Sequence, residues 1–264
     1  MSYKILLVCM GNICRSPTAH GVLRHRLAQA HLSSVVTVDS AGTHNYHPDA
    51  PPDARSQAHA QRRGYDLSDL RARQVTDHDF AQADLILAMD WDNLALLQAQ
   101  CPPALQHKVR RFAEFFQTSN QTVVPDPYYG GEAGFDQVLD LVEDGCTGLL
   151  RHLASPAVLA RCVPEWSHHQ AASCIGREWE MGSFEAAMRF IQQVGVLAEL
   201  HDHHPEIWNV YRRVRLTLTT HDAGGLTYKD VALASAVSAL VTSCADYSAR
   251  LRAQRISAIT RGSA

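Results

Sequence analysis

Apolar residues in the first half of the chain form short runs that alternate with segments of helical spacing. The predicted elements, in order, are a strand over 5–8, a helix over 17–30, a strand over 35–38, a helix over 54–63, a strand over 84–89, and helices over 93–100 and 135–153. Continuous apolar runs are typical of strands covered on both faces. Single strands separated by helices therefore predict an α/β domain with a parallel sheet between two layers of helices.

The pattern changes near residues 154–156, where strands and helices stop alternating singly. Ser183 is a predicted N-cap of a helix whose apolar residues share one face, namely Phe184, Met188, Ile191 and Ala198. Residues 213–219 alternate between apolar and polar, as in a half-exposed antiparallel strand. A last helix is predicted over 227–252. We expect two domains, 1–154 and 155–264, the second a two-layer α+β unit with an antiparallel sheet.

Composition and charge narrow the function classes. The 264 residues carry 24 Lys and Arg against 27 Asp and Glu, a net charge of −3, without a basic block. This balance argues against nucleic acid or an anionic membrane as a partner. No apolar segment is long enough to span a bilayer, and the run 4–10 is too short for a secretory leader. Seven cysteines without framework spacing are typical of reduced thiols, so we expect a cytoplasmic protein.

The segment Cys9-Met-Gly-Asn-Ile-Cys-Arg-Ser16 directly follows the first predicted strand. Gly11 permits a tight loop, and Ser16 with Pro17 is predicted to begin a helix. Backbone amides and the positive end of the helix dipole then point at one spot and form an anion cradle. The same surroundings, with Arg15, stabilise a thiolate. The segment predicts a cysteine nucleophile directed at phosphorus; the alternative is a structural cysteine beside a solvated arginine.

This segment and its flanks resemble the signature of the low-molecular-weight protein tyrosine phosphatases, which is Cys, five residues, Arg, and Ser or Thr near the N terminus. The resemblance covers about the first 154 residues. It implies that Ser16 steadies the thiolate and that Ser40 braces Asn12. The residues it assigns to phosphate binding or support are Gly11, Asn12, Ile13, Cys14, Ser16 and Ser40.

The sequence Val124-Pro-Asp-Pro-Tyr-Tyr-Gly130 holds a carboxyl between two prolines. By itself it fits a surface turn equally well, but the family carries its general acid on such a loop, which implies that role for Asp126. Cys9 is expected to attack phosphorus while Arg15 grips the phosphoryl oxygens and Asp126 protonates the leaving phenolate. Water that Asp126 activates then hydrolyses the phosphocysteine.

Three tyrosines are expected to line the phosphotyrosine slot. Tyr46 lies where the family often carries a tryptophan, and Tyr128 and Tyr129 form the opposite wall. Cys14 lies where many family members have a second cysteine that can form a reversible disulfide with the nucleophile. The spacing alone fits a small inward-packing residue equally well. The implied substrate is a phosphotyrosine protein or an aryl phosphate.

Arsenate reduction is the alternative activity for this first domain. Related reductases use the same phosphate loop followed by a relay of two further cysteines, and this domain offers Cys101 and Cys146. Cys101 precedes two prolines, and Cys146 lies on the apolar stripe of the last helix of the domain. Phosphatase activity is therefore favoured.

Histidines cluster at residues 201–204 of the second half, and His221 follows the alternating strand. A metal is the first suggestion, but no cysteine is near and the side chains of adjacent His203 and His204 diverge, so no metal site is predicted. The wider pattern comprises Glu199, His203-His204-Pro205, Trp208-Asn-Val-Tyr211, Thr220-His221-Asp222, Gly224-Gly225-Leu-Thr227 and Asp230, with Trp166 near its start. It resembles the pterin-4a-carbinolamine dehydratases over about residues 157–252.

This second resemblance implies dehydration of a 4a-hydroxytetrahydropterin, such as 4a-hydroxytetrahydrobiopterin, to a quinonoid dihydropterin without metal or organic cofactor. His203 and His221 are assigned the two proton transfers, and His204 is assigned to hold the pterin. The remaining substrate-binding candidates are Glu199 one turn earlier on the helix, Asp202, and Trp166, which fits a pocket wall or the core.

Both halves retain the groups that their chemistry needs, so we expect a bifunctional enzyme. We also expect a homo-oligomer formed through the second domain, because dehydratase relatives self-assemble. The rival interpretation makes the second half an oligomerisation or binding module. Retention of the three histidines favours activity over that rival.

Overall fold

The computed structural model of this chain describes residues 2–243. The end of the last predicted helix lies outside the described residues. The described chain divides into two compact units. The first unit contains the residues up to Pro164 and Thr227–Ala232, and the second contains Glu165–Leu226 and the part that begins at Leu233.

Eight α-helices and eight strands form the framework of the described residues. The helices are α1 (Arg15–Gln29), α2 (Ala54–Arg62), α3 (Asp77–Gln82), α4 (Trp91–Gln100), α5 (Glu132–His152), α6 (Pro156–Cys162), α7 (Phe184–Leu200) and α8 (Tyr228–Ser243). The strands are β1 (Tyr3–Cys9), β2 (Val36–Gly42), β3 (Leu85–Ala88), β4 (Val109–Arg111), β5 (Ser167–His169), β6 (Cys174–Glu180), β7 (Glu206–Val210) and β8 (Arg213–Leu218).

The first unit is built on a parallel sheet with the strand order β2-β1-β3-β4. Leu6 and Val8 of β1 join an apolar cluster with Phe80 of α3 and Leu97 of α4. Alternate strand residues point to opposite faces, and Leu7 on the other face is fully buried as well. Helices therefore cover both faces, which confirms the predicted parallel α/β architecture.

Helix α6 belongs to the first unit. It packs against β1, and the thiol of Cys162 donates a hydrogen bond to the carbonyl of Val35 at 3.5 Å. Arg161 forms an ion pair with Asp84 at 3.5 Å. The predicted domain division at residues 154 and 155 assigns α6 to the second half, so the compact unit extends further along the chain than the predicted first domain.

The start of α1 differs from the prediction. The helix begins at Arg15, and Cys14 occupies the N-cap position without a side-chain cap. Ser16 lies inside the first turn, where its hydroxyl is turned toward the loop before the helix instead of capping it. The expected N-cap at Ser16 is therefore wrong.

Besides α6, two short elements of the first unit, α3 and β4, were not predicted. Helix α3 begins with a capping box in which the backbone N–H of Thr76 donates to the carboxylate of Asp79 at 2.8 Å. Strand β4 is three residues long and pairs with the end of β3. Neither is long enough to show a periodic pattern of apolar residues.

The second unit contains an antiparallel sheet with the strand order β5-β6-β8-β7. Arg177 and Trp179 project from the same face of β6. Arg177 donates to Ser238 of α8 at 3.1 Å, and the ring of Trp179 lies 5.1 Å from that of Phe190 of α7. Both helices therefore cover one face of the sheet, which confirms the predicted α+β layers.

Helix α7 begins as predicted but buries a different face. The hydroxyl of Ser183 accepts from the backbone N–H of Ala186 at 3.1 Å, so Ser183 is the N-cap. The buried residues of the helix are Ala186, Ala187, Phe190, Val194 and Ala198. Phe184 and Met188, which were grouped with Ala198 on one apolar face, are 49% and 39% exposed. An apolar stripe at Phe184 and Met188 thus remains on the surface of this unit.

Among residues 2–243, no helix combines the length and the apolar character needed to cross a bilayer.

Gly148 in the middle of α5 allows the helix to lie against the backbone of residue 115. A Cβ at Gly148 would overlap the carbonyl oxygen of Phe115, and backbone cannot move aside as a flexible side chain can. We expect Gly148→Ala to destabilise the first unit by at least about 2 kcal/mol. Hydrogen exchange over α5 and β1, resolved by mass spectrometry, would measure the loss.

Gly134 in the first turn of the same helix provides the control for this prediction. A Cβ there would meet Pro127 at 3.5 Å, an ordinary van der Waals distance. Gly134→Ala should leave exchange unchanged or slower, because alanine favours helix by up to about 1 kcal/mol. Equal effects of the two substitutions would contradict the packing argument.

Candidate active sites

The loop from Met10 to Cys14 lies at the carboxyl edge of the parallel sheet, between the end of β1 and the start of α1. The segment that directly follows β2 anchors this loop, because the backbone N–H groups of Thr43 and His44 donate to the carbonyls of Cys9 and Met10 at 2.8 and 3.0 Å. At Gly42 a Cβ would lie only 2.7 Å from the Met10 carbonyl oxygen. Such an edge is where ligands bind in open α/β sheets.

Asn12 holds the loop in its curved form. Its φ of 54° lies in the left-handed region, which Asn tolerates better than most residues. Its side-chain carbonyl accepts from the backbone N–H of Arg73 at 3.0 Å, and its amide donates to the Ser16 hydroxyl at 2.9 Å. Ser40, expected to brace Asn12, instead has its hydroxyl 3.3 Å from Nδ1 of His20. The bracing expected from the family resemblance is therefore corrected to Arg73 and Ser16.

The thiol of Cys9 is buried and faces the Ser16 hydroxyl at 3.1 Å. The same hydroxyl lies 3.3 Å from the carbonyl oxygen of Ala41. Because Asn12 occupies an acceptor position on Ser16, the single hydroxyl proton is directed toward either the sulfur or that carbonyl. A thiolate at Cys9 would accept this hydrogen bond from the Ser16 hydroxyl, since a charged acceptor forms a stronger hydrogen bond than a neutral carbonyl.

The Arg15 guanidinium is 2% exposed and lies between two carboxylates. Nη1 donates to Asp90 Oδ2 at 2.5 Å, and Nη2 donates to Asp126 Oδ2 at 2.6 Å. Burial lowers the pKa of Arg15, but the charges of Cys9, Asp126 and Asp90 outweigh it and raise that pKa overall. The structure thus brings Cys9, Arg15 and Asp126 together.

Asp90 was missed in the sequence. One carboxylate oxygen caps α4 by accepting from the backbone N–H of Asn93 at 2.7 Å, and the other accepts from Arg15. Its position directly after an apolar strand is the signal that could have found it. The carboxyl ends of parallel strands lie at one edge of the sheet, and the loop from Met10 to Cys14, which we call the phosphate loop, lies at that edge.

Asp126 lies on a loop that is attached to the sheet edge. The backbone N–H of Val124 donates to the carbonyl of Met89 at 2.8 Å. The other carboxylate oxygen of Asp126 accepts from the backbone N–H of Tyr128 at 3.1 Å. The Asp126 side chain is 43% exposed, so this carboxyl faces both Arg15 and the open cavity.

A cavity of about 290 Å³ opens above the thiol, a volume slightly below the usual range for small-molecule pockets. Its lining includes Cys9, Gly11, Ile13, Cys14, Arg15, Tyr46, His47, Asp126, Tyr128 and Tyr129. Tyr46 stacks on His44 with ring centroids 4.9 Å apart. Tyr129 is 96% exposed. The three tyrosines expected to line a slot thus all border this cavity, joined by His47, which was not predicted.

Three further cysteines of this unit, Cys14, Cys101 and Cys146, are buried. Burial raises the pKa of Cys14 and of Cys146 to about 12, which keeps both thiols protonated at neutral pH. The Cys101 thiol is directed at the carbonyl of Pro102 at 3.6 Å. All three are free thiols. Buried, protonated thiols at Cys101 and Cys146 do not favour the relay that arsenate reduction would need.

The second unit places Glu199, Asp202 and two histidines at the end of α7. The backbone N–H groups of Asp202 and His203 donate to the carbonyls of Glu199 and Ala198, a Schellman ending. Asp202 has a φ of 44°, the left-handed conformation that this ending requires. The turn sends the side chain of His203 inward, where it is 7% exposed.

His204 points outward and is bonded to Glu199. Its Nε2 lies 3.0 Å from Glu199 Oε1, and both side chains are largely exposed. A carboxylate that accepts from one imidazole nitrogen fixes the tautomer and leaves the other nitrogen for a ligand. Glu199 and His204 therefore form a surface pair suited to holding a polar heterocycle.

Strand register brings His221 to the same end of the sheet as His203. Glu206 at the start of β7 pairs with Thr217 near the end of β8. His203 and His204 come just before β7, and the exposed His221 comes shortly after β8 in a short 3₁₀ turn. Antiparallel neighbours lie about 5 Å apart, so both histidine segments lie at the same end of this strand pair.

Trp166 lies in the core of the second unit. It is 6% exposed, its indole N–H donates to Ser238 at 3.0 Å, and its ring packs edge-on against Trp179 at 5.6 Å. Of the two alternatives for Trp166, a pocket wall or the core, this position is the core, so its listing as a substrate-binding candidate is corrected. Among residues 2–243, no group of three or more His, Cys, Asp or Glu side chains is arranged to hold a metal ion.

Comparison with known proteins supports the division of chemistry between the two halves. The model of a family described as low molecular weight phosphotyrosine protein phosphatase matches residues 4–158. The model of a family described as pterin 4 alpha carbinolamine dehydratase matches residues 151–240. The two matches overlap over residues 151–158.

Individual relatives match the first half. A Synechocystis sp. protein, whose name assigns it to the low molecular weight protein-tyrosine-phosphatases, is 46% identical over 156 residues, which is 59% of this chain and 99% of that protein. A human low molecular weight phosphotyrosine protein phosphatase is 37% identical, covering 56% of this chain and 93% of its own length. The crystal structure of a protein tyrosine phosphatase from Entamoeba histolytica is 43% identical, with a TM-score of 0.56, and covers 58% of this chain and 97% of its own.

The buried His20 beside Ser40 gives the first unit a predictable response to acid. Burial lowers the pKa of His20 to about 4 from an ordinary 6.5. Below pH 6.5 the His20 imidazole is protonated in the unfolded chain but stays neutral in the folded chain, so the free energy of unfolding falls as pH drops toward 4. The free energy of unfolding is expected to fall by about 3 kcal/mol, since each pKa unit between the folded and unfolded states is equivalent to 1.36 kcal/mol. Urea unfolding of wild type and His20→Gln between pH 7.5 and 4.5 would measure it.

The difference between these two proteins isolates His20, because every other titratable side chain is present in both. We expect the difference in unfolding free energy to change by about 3 kcal/mol across this range. A difference that stays constant with pH would contradict the assignment of a neutral, buried His20.

Proposed function

Since the phosphatase family model matches residues 4–158, this chain belongs to the low molecular weight phosphotyrosine protein phosphatase family, and we propose that it hydrolyses phosphotyrosine through a phosphocysteine at Cys9. The observation that carries this proposal is the meeting of three groups at one cavity. Cys9, Arg15 and Asp126 all border the space above the thiol. The arrangement supplies a nucleophile, a cationic fork and a proton donor to one bound phosphoryl group.

The first chemical step joins the Cys9 sulfur to phosphorus and breaks the bond to the phenolic oxygen. Asp126 gives its proton to that oxygen, so a neutral phenol leaves. The Arg15 fork and the loop amides take the charge of the equatorial oxygens. Ser16 turns its hydroxyl proton to the sulfur whenever the sulfur carries charge, before attack and again on release.

The second step breaks the bond between sulfur and phosphorus. A water molecule attacks phosphorus, Asp126 takes its proton, and the thiolate of Cys9 leaves. The products are inorganic phosphate and the resting enzyme. Before the first step, Asp126 must leave Nη2 of Arg15 and carry a proton, because a carboxylate in an ion pair has none to donate.

Aryl-phosphate hydrolysis by purified protein tests this proposal. Cys9→Ser should abolish turnover, because a hydroxyl is a far weaker nucleophile than a thiolate at neutral pH. Asp126→Asn should lower kcat for phenyl phosphate by about 10²–10⁴-fold. Cys101→Ser is the matched control, since it changes another buried thiol outside the cavity and should retain full activity. Loss of activity in that control, with arsenate-dependent turnover in the wild type, would contradict the phosphatase assignment.

For the second unit we propose dehydration of a 4a-hydroxytetrahydropterin, which would make the chain a bifunctional enzyme. The match to the dehydratase family model over residues 151–240 supports it. The position of both histidine segments at the same end of the β7–β8 pair supports it as well. In this proposal His203 and His221 exchange protons with the leaving hydroxyl and a ring nitrogen, while His204 and Glu199 hold the pterin.

We also propose that the second unit self-associates. The exposed apolar stripe at Phe184 and Met188 of α7 supports this, because exposed apolar side chains grouped on one face are typical of protein–protein contacts. The binding-module interpretation of this half relies on the same stripe, so dehydration itself must be measured to choose between them.

Histidine substitutions test the dehydratase proposal. His203→Ala and His221→Ala should each lower the enzyme-catalysed dehydration rate, measured above the buffer rate, by about 10²–10⁴-fold relative to wild type. Aryl-phosphate hydrolysis should be unchanged in both variants. His168→Ala is the control, because His168 is an exposed histidine on β5 of the same unit. If wild-type protein left dehydration at the buffer rate while light scattering showed self-association, the binding-module interpretation would replace this proposal.

A further inference from the structure

Arg55, in the first turn of α2, connects that helix to the loop of Asp126. Its Nε and Nη2 donate to the two carboxylate oxygens of Asp53 at 3.0 and 2.9 Å. Its Nη1 donates to the carbonyl of Tyr128 at 3.2 Å. The guanidinium carbon also lies 5.5 Å from the ring centroid of Tyr128 and 4.7 Å from that of Phe135. One side chain therefore contacts α2, α5 and the loop over residues 124–130 that carries Asp126, which we call the acid loop.

The contacts of Arg55 continue in both directions to the reacting groups. The backbone N–H of Asp53 donates to the carbonyl of Ile13 in the phosphate loop at 2.8 Å. On the other side, the backbone N–H of Tyr128 donates to the carboxylate of Asp126 at 3.1 Å. We call this series of contacts, from Ile13 through Asp53, Arg55 and Tyr128 to Asp126, the Arg55 link.

We propose that Arg55 is a positioning residue for the general-acid step, holding the Asp126 carboxyl and the Tyr128 wall at a fixed distance from the phosphate loop. This inference rests on the proposed role of Asp126. Arg55 borders no reacting atom, so it acts through Tyr128. Proton transfer requires the acid within hydrogen-bond reach of the leaving oxygen, and misplacement by about 1 Å can cost 10²-fold in rate.

The need for the Arg55 link arises when substrate binds. In the structure Asp126 is held by its ion pair with Arg15 at 2.6 Å. A phosphoryl group that takes the Arg15 fork removes that contact. The Arg55 link does not involve Arg15, so it persists with substrate in place. It then tethers the acid loop to the phosphate loop during the proton transfer.

The shape of the guanidinium suits it to this task. Its planar fork can bind the Asp53 carboxylate with two nitrogens and still present a third to Tyr128, while its flat face lies over aromatic rings. A lysine ammonium would keep the charge but not this fixed geometry. Arg55→Lys is therefore expected to behave more like Arg55→Ala than like the wild type.

Leaving-group dependence distinguishes a misplaced acid from a general loss of activity. Phenyl phosphate releases a phenol with a pKa close to that of tyrosine, about 10, and needs protonation as it leaves. p-Nitrophenyl phosphate has a much better leaving group and needs little. We expect Arg55→Ala to lower kcat/KM at least about tenfold for phenyl phosphate and less than about threefold for p-nitrophenyl phosphate.

Arg24 provides a matched control on α1. It donates to both carboxylate oxygens of Asp69 at 2.6 and 2.9 Å and to the carbonyl of Asp66 at 2.9 Å. Its side chain is 40% exposed, against 41% for Arg55. It thus reproduces the contacts of Arg55 with a carboxylate and a carbonyl, away from the acid loop. Arg24→Ala should leave both substrates within about twofold of wild type.

Each outcome bears on one proposal. If Arg55→Ala slows both substrates equally, or neither, the positioning role is wrong. Asp126→Asn is measured in parallel, and equal losses for both substrates in that variant would overturn the role of Asp126 itself. Urea midpoints for all variants show whether a loss follows from unfolding, and unfolding would slow both substrates alike.

Discussion

The pairing of the buried Arg15 guanidinium with two carboxylates is the interaction on which the first unit depends most. An unpaired charge in this position would be strongly destabilising, so Asp90 and Asp126 both pair with it until an anionic substrate takes the place of Asp126. Asp90 also caps α4. Through Asp90, α4 is connected to Arg15, which directly follows the loop from Met10 to Cys14. The fold and the reaction therefore share the same charges.

The two units expose their titratable groups to solvent to different degrees. In the first, the thiol and guanidinium are buried and their hydrogen bonds are nearly all internal, which favours strong and oriented electrostatics. In the second, Glu199 and His204 are exposed, and only His203 is withdrawn from solvent. A heterocyclic substrate bound there would itself complete the enclosure that the phosphate loop already has.

Much of the first site could be predicted from the sequence because its chemistry is local. Cys9 and Arg15 are joined by one loop, whereas the role of Asp126 follows from the family resemblance and not from its two prolines alone. Arg55 could not be predicted, because it acts across 73 residues of chain and no local pattern records such a pairing. Asp90 pairs across 75 residues, and its only signal in the sequence is its place after an apolar strand. The N-cap at Ser16 failed for a related reason: its hydroxyl is committed to Cys9 and Asn12.

In the second half, periodicity predicted the layers and the start of α7 but not which face of the helix is buried. Phe184 and Met188 are apolar, yet the small residues Ala186 and Ala187 face the sheet, where close approach favours them.

The balance of the Arg15 charge by carboxylates has a consequence for selectivity among anions. An anion must displace the Asp126 carboxylate, so a singly charged ester offers the guanidinium no more charge than it already has. A doubly charged phosphomonoester offers more, and the resting ion pair thereby discriminates among anions by their charge.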